Sequence, residues 1–217
     1  MMPFRFEKKV GTPYQILCLG AHSDDIEIGC GGTLLKLIDL YPDLHIHWVV
    51  IGANPERERE ASNSAYSLLE RVSDKKIQIG SFRDSFFPYL GAEIKEYFQQ
   101  LKMEVSPDLI LTHYRDDRHQ DHRLISDLTW NTFRDCLIWE YEIPKYDGDL
   151  GIPNLFVHLS AEICHRKVKH LFTYFESQAN KGWFTEDIFF SMLRIRGMES
   201  NSHSKYAEAF HCRKLVI

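Results

Sequence analysis

Residues 14–25, YQILCLGAHSDD, join a nearly continuous apolar run to a group of polar side chains. The apolar part, 14–20, is short and shows no regular alternation, which is typical of a strand buried on both faces of a parallel sheet. The polar part places His22, Asp24 and Asp25 directly after that strand. The stretch therefore predicts a buried strand that ends at a loop able to carry chemistry.

A second stretch of the chain repeats this plan. Residues 107–112, PDLILT, predict another strand, and His119, Asp121 and His122 follow it. Strand and helix patterns alternate along the rest of the chain. The other predicted strands are 45–51, 77–79, 136–141 and 154–159, and the predicted helices are 33–41, 57–71, 94–103, 124–133, 161–175 and 186–196.

This alternation predicts an α/β fold in which a mostly parallel sheet is covered by helices on both faces, giving three layers. In such folds ligands bind outside the carboxyl ends of the strands, near a switch in strand order. Both polar stretches are expected at that edge. The region 143–153 is rich in turn formers and predicts a long ordered loop between two strands.

Composition narrows the class of protein. With 217 residues and 44% hydrophobic content the chain can bury one sizeable core, and we expect a single domain over 1–217. The net charge of −5 argues against nucleic acid as a partner, because phosphate binding needs clustered Lys and Arg. Five scattered cysteines without a C-x-x-C pair indicate neither a disulfide framework nor a thiolate zinc site. Residues 1–10 lack the apolar run of a signal peptide, and no stretch approaches a membrane span, so a cytoplasmic protein is expected.

The two polar stretches suit one divalent-metal site. Two neutral imidazoles, His22 and His122, and one carboxylate, Asp25, form the type of ligand set found around a catalytic zinc ion with an open position. Such an ion lowers the pKa of a bound water to about 7, which makes that water the expected nucleophile. Iron(II) is the alternative ion, because metals that accept imidazole and carboxylate overlap in preference.

Three further residues supply acid and base groups. Asp24 lies beside a ligand without being needed as one, so it is the expected general base. His119, if protonated, would stabilise an oxyanion and donate a proton to a departing amine. Asp121 would hold that imidazole charged and oriented.

Each stretch alone has an ordinary structural interpretation, since single histidines are usually surface or core residues and Asp-Asp pairs favour turns. Together, at the same expected edge of the sheet, they favour a shared site. The run Gly29-Cys30-Gly31-Gly32 could instead form a dinucleotide loop. It lacks the G-x-G-x-x-G spacing, however, and it follows acidic residues that would repel a pyrophosphate.

At this point the residues resemble a known family. Residues 21–33, AHSDDIEIGCGGT, are similar to the A-H-P-D-D signature of the LmbE-like (PIG-L) zinc-dependent N-deacetylases, and residues 119–122, HQDH, are similar to their H-x-D-H signature. Weaker similarity extends to Arg57-x-x-Glu60, to Ser177-Gln178 and to YAEAF at 206–210. Ser23 and Gln120 stand where the family usually has proline, and neither supplies a role in the expected chemistry.

The resemblance implies a Rossmann-like fold and hydrolysis of an acetamide on an amino sugar or sugar conjugate. It also implies zinc held by His22, Asp25 and His122, with Asp24 as base and His119 as the cationic partner. Arg57 is implied as a substrate contact. Pairing of Arg57 with Glu58 or Glu60 on a solvated helix face is the alternative.

Two other sets of residues have two interpretations each. Asp117 either orients the site or shapes a turn. Trp139, Tyr141 and Tyr146 either form a platform for a sugar ring or belong to the core.

The leading hypothesis is a zinc-dependent N-deacetylase, an enzyme whose partner is a small N-acetylated amino sugar or conjugate. A second hypothesis is a metal-binding module that has lost hydrolysis, and a third is an amidase or peptidase with another substrate. Retention of Asp24 and His119 favours an enzyme, because a purely structural site needs no spare base or acid. The sequence leaves open whether the chain forms a homo-oligomer.

Overall fold

A computed structural model describes residues 12–216 of the chain. These residues form a sheet of seven strands with helices between them. The strands are β1 (Tyr14–Gly20), β2 (Leu44–Val50), β3 (Asp74–Ile79), β4 (Leu109–His113), β5 (Leu137–Tyr141), β6 (Leu155–His158) and β7 (Ala207–Cys212). The helices are α1 (Asp25–Leu40), α2 (Pro55–Leu68), α3 (Gly91–Glu104), α4 (Gln120–Thr132), α5 (Ala161–Tyr174) and α6 (Glu186–Glu199), with short 3₁₀ turns at 87–90 and 176–178.

The strand order is β3-β2-β1-β4-β5-β7-β6. The first five strands pair in parallel, and β7 is antiparallel to both of its neighbours. The predicted mostly parallel, three-layer α/β sheet is therefore confirmed. Strand order reverses between β1 and β4, so the segments that leave these two strands lie on either side of the switch point, where such folds bind ligands.

Apolar side chains pack on both faces of the sheet. On one face α1, α2, α5 and α6 bury a core that includes Trp48, Phe175 and Phe210. On the other face α3 and α4 bury Phe98 and Ile125 against the strands. Because both faces are covered, the central strands β1 and β4 are nearly continuous apolar runs.

Helix α1 begins at Asp25, eight residues earlier than Thr33, so the predicted start was wrong. The glycine run lies inside the helix, where it lets the backbone approach neighbouring side chains. A Cβ on Gly29 would stand 2.1 Å from the Tyr141 ring, and one on Gly32 would stand 2.5 Å from Leu159. The glycines allow close packing. Because they lie within a helix, the alternative of a dinucleotide-binding loop is wrong.

The aromatic side chains of β5 belong to the core. Tyr141 is fully buried and its hydroxyl donates to the Leu19 carbonyl, while Trp139 packs against Phe210. The sugar-platform interpretation is therefore wrong for these two residues. Tyr146 is exposed, in the predicted loop 143–153, which lies outside any helix or strand.

Strand β7 was not predicted from the sequence. It inserts between β5 and β6 and carries Glu208 into the core. The Glu208 carboxylate accepts from the backbone N–H groups of Gly32 and Thr33 and pairs with Lys167 at 2.5 Å. A chain segment near the C-terminus thus fixes α1, the helix that follows the first polar stretch.

The prediction about a signal peptide concerns residues 1–10, which lie outside the described part of the chain. Among residues 12–216, none of the helices combines the length and the apolar character that a membrane span requires.

Replacing Gly29 with Ala should destabilise the fold, because the new methyl group collides with the buried Tyr141 ring. Overpacking of this kind costs about 1–3 kcal/mol of unfolding free energy. Gly91→Ala in α3 is the matched control, since a Cβ there meets nothing within 4 Å. Urea unfolding should show the loss for Gly29→Ala only, and equal stability of the two variants would contradict the packing role.

Acid should destabilise the protein partly through His170. Burial lowers the pKa of His170 from 6.5 to about 4, and its Nε2 lies 2.8 Å from the Ser64 hydroxyl. The unfolded chain therefore binds a proton below pH 6.5 that the folded chain refuses until about pH 4, and stability falls across that window by up to about 1.4 kcal/mol per pH unit. His170→Gln should lose less stability between pH 6.5 and 4 than the wild type in thermal unfolding. If the stability of the wild type and of His170→Gln fell equally between pH 6.5 and 4, His170 would play no part in the acid sensitivity.

Candidate metal centre and active site

The two polar stretches meet at the switch point of the sheet. His22 lies in the turn between β1 and α1, Asp24 precedes α1 and Asp25 is its first residue. His119 is the N-cap of α4, and His122 lies in the first turn of that helix. Two helix N-termini thus point their partial positive charge at the site, which favours ionised carboxylates there.

Three side chains converge at this point. His22 Nδ1 lies 3.2 Å from His122 Nε2 and 3.5 Å from Asp25 Oδ2, and Asp25 Oδ1 lies 3.5 Å from His122 Nε2. Ligands about 2.0–2.1 Å from a tetrahedral zinc ion are separated from one another by roughly 3.3 Å. The distances between the three side chains are therefore close to those of residues that bind one divalent ion.

The predicted set of His22, Asp25 and His122 is not itself one of the groups of side chains whose ligand atoms lie closest together, but its members are shared between two of them. Among residues 12–216, three overlapping groups of side chains could hold an ion: His22 with His119 and His122, Asp25 with His113 and His122, and His22 with Asp84 and Asp121. His22 and His122 each belong to two of the groups. They are the common members of the centre.

Carboxylates hold the far nitrogen of each central imidazole. His22 Nε2 lies 3.2 Å from Asp121 Oδ2 and 3.1 Å from Asp84 Oδ1, and His122 Nδ1 lies 3.0 Å from Asp117 Oδ2. A carboxylate at one nitrogen keeps the proton there and leaves the lone pair of the other nitrogen free. His22 Nδ1 and His122 Nε2 then face each other across 3.2 Å, a distance at which they can share a proton or bind one ion. The residues present fit a divalent metal ion.

The charges at the site agree with this fit. Burial would raise the pKa of Asp25, but His122 and His113 outweigh burial and hold that pKa well below its usual range. Burial and the neighbouring His113 lower the pKa of His122 to about 4. Burial also opposes a charge on His22, yet hydrogen bonds to Asp121 and Asp25 raise its pKa well above 6.5. Asp25 is thus an anion and His122 is neutral, the forms in which they bind metals, whereas His22 carries a proton that a divalent ion would displace.

Asp24 and Arg57 form an ion pair beside the three ligand atoms. Arg57 Nη2 donates to Asp24 Oδ1 at 2.7 Å, and both side chains are largely buried. Burial raises the pKa of Asp24, and the Arg57 guanidinium works against that shift. Asp24 Oδ2 is buried without a hydrogen-bond partner. Arg57 therefore reaches the site, and its other neighbour is Glu60, whose Oε2 lies 3.5 Å from Nε.

Asp121 does not hold the His119 ring as expected. Its carboxylate Oδ2 instead lies 3.2 Å from His22 Nε2, and the carboxylate accepts from the backbone N–H groups of Ser85 and Phe87. Asp121 and His119 do contact each other, but the imidazole is the acceptor: the Asp121 backbone N–H donates to His119 Nδ1 at 3.3 Å. Asp121 therefore orients His22 and fixes the loop that covers it.

His119 is also less basic than expected. Burial and the nearby His22 lower its pKa, which disfavours the predicted imidazolium. A ring whose Nδ1 accepts a hydrogen bond carries its proton on Nε2. His119 stacks on the His122 ring at 4.5 Å, so this N–H is available next to the ligand set.

Two site residues were missed in the sequence. The His113 ring stacks on His122 at 4.0 Å, and its Nε2 accepts from the Ala21 N–H and lies 3.2 Å from Asp25 Oδ2. Its position as the last residue of β4 is the signal that could have identified it. Lys145, from the loop 143–153, reaches Asp117 Oδ2 at 2.9 Å, and no sequence pattern indicates that contact.

Asp117 both orients the site and shapes the turn. Its Oδ2 contacts the His122 ring, and its Oδ1 accepts from the His119 N–H. One contact therefore supports the interpretation that Asp117 orients the site, and the other supports the interpretation that it shapes the turn.

Fold and site together define a class of α/β proteins with a histidine and carboxylate centre at the switch point. The family model of GlcNAc-PI de-N-acetylase, PIG-L, matches residues 17–133, and the chain belongs to this family. The matched region contains every residue of the three candidate groups.

Relatives share this fold. Diacetylchitobiose deacetylase of Thermococcus kodakarensis is 28% identical over 137 residues, 55% of this chain and 50% of that protein, so the chain spans about half the length of this curated relative. A conserved protein of Thermus thermophilus superposes with a TM-score of 0.70 at 21% identity, covering 93% of this chain and 96% of that one. The 4-carboxy-2-hydroxymuconate hydratase GalB of Pseudomonas putida superposes with a TM-score of 0.70 at 13% identity, covering 94% and 98%. Since one of these structures is a hydratase, the fold alone does not decide the reaction.

Asp117→Asn should weaken metal binding by about 10- to 100-fold, because loss of the carboxylate behind His122 removes both its orientation and its basicity. The exposed neighbour Asp116→Asn is the matched control. Competition of each protein with a chromophoric chelator for Zn²⁺ measures the effect. Unchanged Zn²⁺ affinity in Asp117→Asn would contradict a role for Asp117 in metal binding.

Proposed function

We propose that this chain is a metal-dependent hydrolase that removes the N-acetyl group from an amino sugar or sugar conjugate. The carrying observation is the convergence of ligand atoms from His22, Asp25 and His122 beside Asp24, whose buried Oδ2 has no hydrogen-bond partner. Membership of the GlcNAc-PI de-N-acetylase family and the similarity to a diacetylchitobiose deacetylase support an acetamide substrate. The proposed substrates are nucleotide-, lipid- or thiol-linked N-acetyl sugars and polysaccharide precursors.

His22, Asp25 and His122 would hold the ion, for which we propose zinc, with iron(II) as the alternative. When bound, the ion would supply Lewis acidity, which polarises a carbonyl group and increases the acidity of water at an open position.

Asp24 is the proposed general base. Water adds to the acetamide carbon, the C–N bond breaks, and acetate and a free amine are released. Asp24 accepts a proton from the water and returns it to the departing nitrogen, so its carboxylate is regenerated in each turnover. The Arg57 guanidinium favours the ionised carboxylate that the first transfer requires.

His119 and Arg57 are the proposed hydrogen-bond donors to the developing oxyanion. His119 does this as a neutral ring through Nε2–H, in place of the imidazolium expected from the sequence. Donors fixed before the reaction stabilise charge that develops in the transition state. Asp121 contributes indirectly, by orienting His22.

We further propose that residues 1–217 form one deacetylase domain and that the protein works in the cytoplasm on a small molecule, without nucleic acid.

Asp24→Asn should lower kcat for amine release from a panel of N-acetyl sugars by about 10²- to 10⁴-fold, the usual contribution of a positioned acid or base. Metal affinity should stay close to wild type, since Asp24 is not a proposed ligand. The exposed α4 residue Asp127, changed to Asn, is the matched control and should retain full activity.

Other results would redirect the proposal. Tight zinc binding without turnover of any N-acetylated compound would indicate a binding module. Amine release only from non-sugar amides would indicate an amidase. Undiminished turnover in Asp24→Asn would contradict its role as base.

A further inference from the structure

A partly buried link joins α2 to the 3₁₀ turn at 176–178. Both oxygens of the Glu60 carboxylate are used by one residue of that turn: Oε1 accepts from the Ser177 N–H at 2.9 Å and Oε2 accepts from the Ser177 hydroxyl at 2.6 Å. The Gln178 side chain donates in turn to the Ser177 hydroxyl at 2.9 Å. A carboxylate with both oxygens engaged in this way cannot rotate freely, so Glu60 has one defined orientation.

That orientation aims Glu60 at the guanidinium of Arg57. Glu60 Oε2 lies 3.5 Å from Arg57 Nε, one helical turn away on the same face of α2, while Arg57 Nη2 donates to Asp24. Arg57 Nε is buried and has no hydrogen bond of its own. The long arginine side chain is therefore held between two carboxylates, one at each end of its planar group.

We propose that Glu60, fixed by Ser177, is a positioning residue for Arg57 in the reaction proposed above. An unrestrained arginine samples many rotamers, and ordering it costs free energy that must be spent at each turnover. A fixed anion behind Nε restricts those rotamers before substrate arrives, so that Arg57 Nη2 keeps its direction toward Asp24. The expected effect on turnover rests on the proposed function. The expected ordering of the Arg57 side chain rests on the contacts alone.

A merely structural link would behave differently. If the contact served only to attach the turn to α2, a neutral acceptor at position 60 would preserve it, because the glutamine amide oxygen still accepts from Ser177. The positioning role needs the negative charge as well as the hydrogen bonds. Glu60→Gln therefore separates the two roles, and Ser177→Ala tests the same chain of contacts from its other end.

The first measurement is the arginine Nε–H signal of Arg57 in a ¹H–¹⁵N NMR spectrum of the full-length protein, assigned by its loss in Arg57→Lys. In Glu60→Gln and Ser177→Ala this signal should move toward that of the exposed Arg59 or broaden. Glu58→Gln is the matched control, since Glu58 is exposed on the same helix, and it should leave the signal in place. An unmoved signal in both test variants overturns the proposal.

The second measurement is turnover of the zinc-loaded variants with the N-acetyl sugar that the wild type hydrolyses. Glu60→Gln should lower kcat and kcat/KM together, by about 10- to 100-fold, because misdirection of a group that acts in the transition state affects both equally. Wild-type kinetics in Glu60→Gln overturns the proposal even if its melting temperature falls. If the wild type hydrolyses no N-acetyl sugar, the proposed function fails, and the Arg57 signal alone decides whether Glu60 positions Arg57.

Discussion

The opposition of two imidazole nitrogens is the interaction on which the rest of this site depends. His22 Nδ1 and His122 Nε2 face each other at 3.2 Å, and each ring is held from behind by a carboxylate. Two lone pairs at this distance repel unless a proton or a metal ion lies between them. The surrounding carboxylates make positive charge favourable there, so the position suits either a shared proton or the divalent ion that we propose.

The fold produces this opposition by bringing two distant segments to one edge. Strands β1 and β4 are parallel neighbours at the point where strand order reverses. His22 and Asp25 of the proposed ligand set follow β1, and His122 follows β4. Helix α1 can begin at Asp25 because Gly29 lets the helix lie against Tyr141. The Glu208 carboxylate from β7 also accepts from the backbone N–H groups of Gly32 and Thr33 in this helix. Packing in the core thus determines the position of Asp25, one of the proposed metal ligands.

The sequence predicted the parts of the site that depend on local pattern. Apolar runs followed by polar clusters located His22, Asp25 and His122, because the carboxyl ends of parallel strands share an edge. It could not predict contacts between segments far apart in the chain. The start of α1 depends on a ring 112 positions beyond Gly29, the role of Asp121 depends on the backbone of Ser85, and Lys145 reaches Asp117 from an irregular loop. The lowered pKa of His119 likewise follows from burial that only the folded chain reveals.

The central claim is that one divalent ion lies between the two opposed imidazoles. Anomalous diffraction at the zinc absorption edge, from crystals grown with stoichiometric zinc, tests it most directly. The account predicts a single strong peak within about 2.0–2.2 Å of His22 Nδ1, His122 Nε2 and an Asp25 carboxylate oxygen. A peak at His22 Nε2 with Asp84 and Asp121, or no ordered zinc at the switch point, would contradict it.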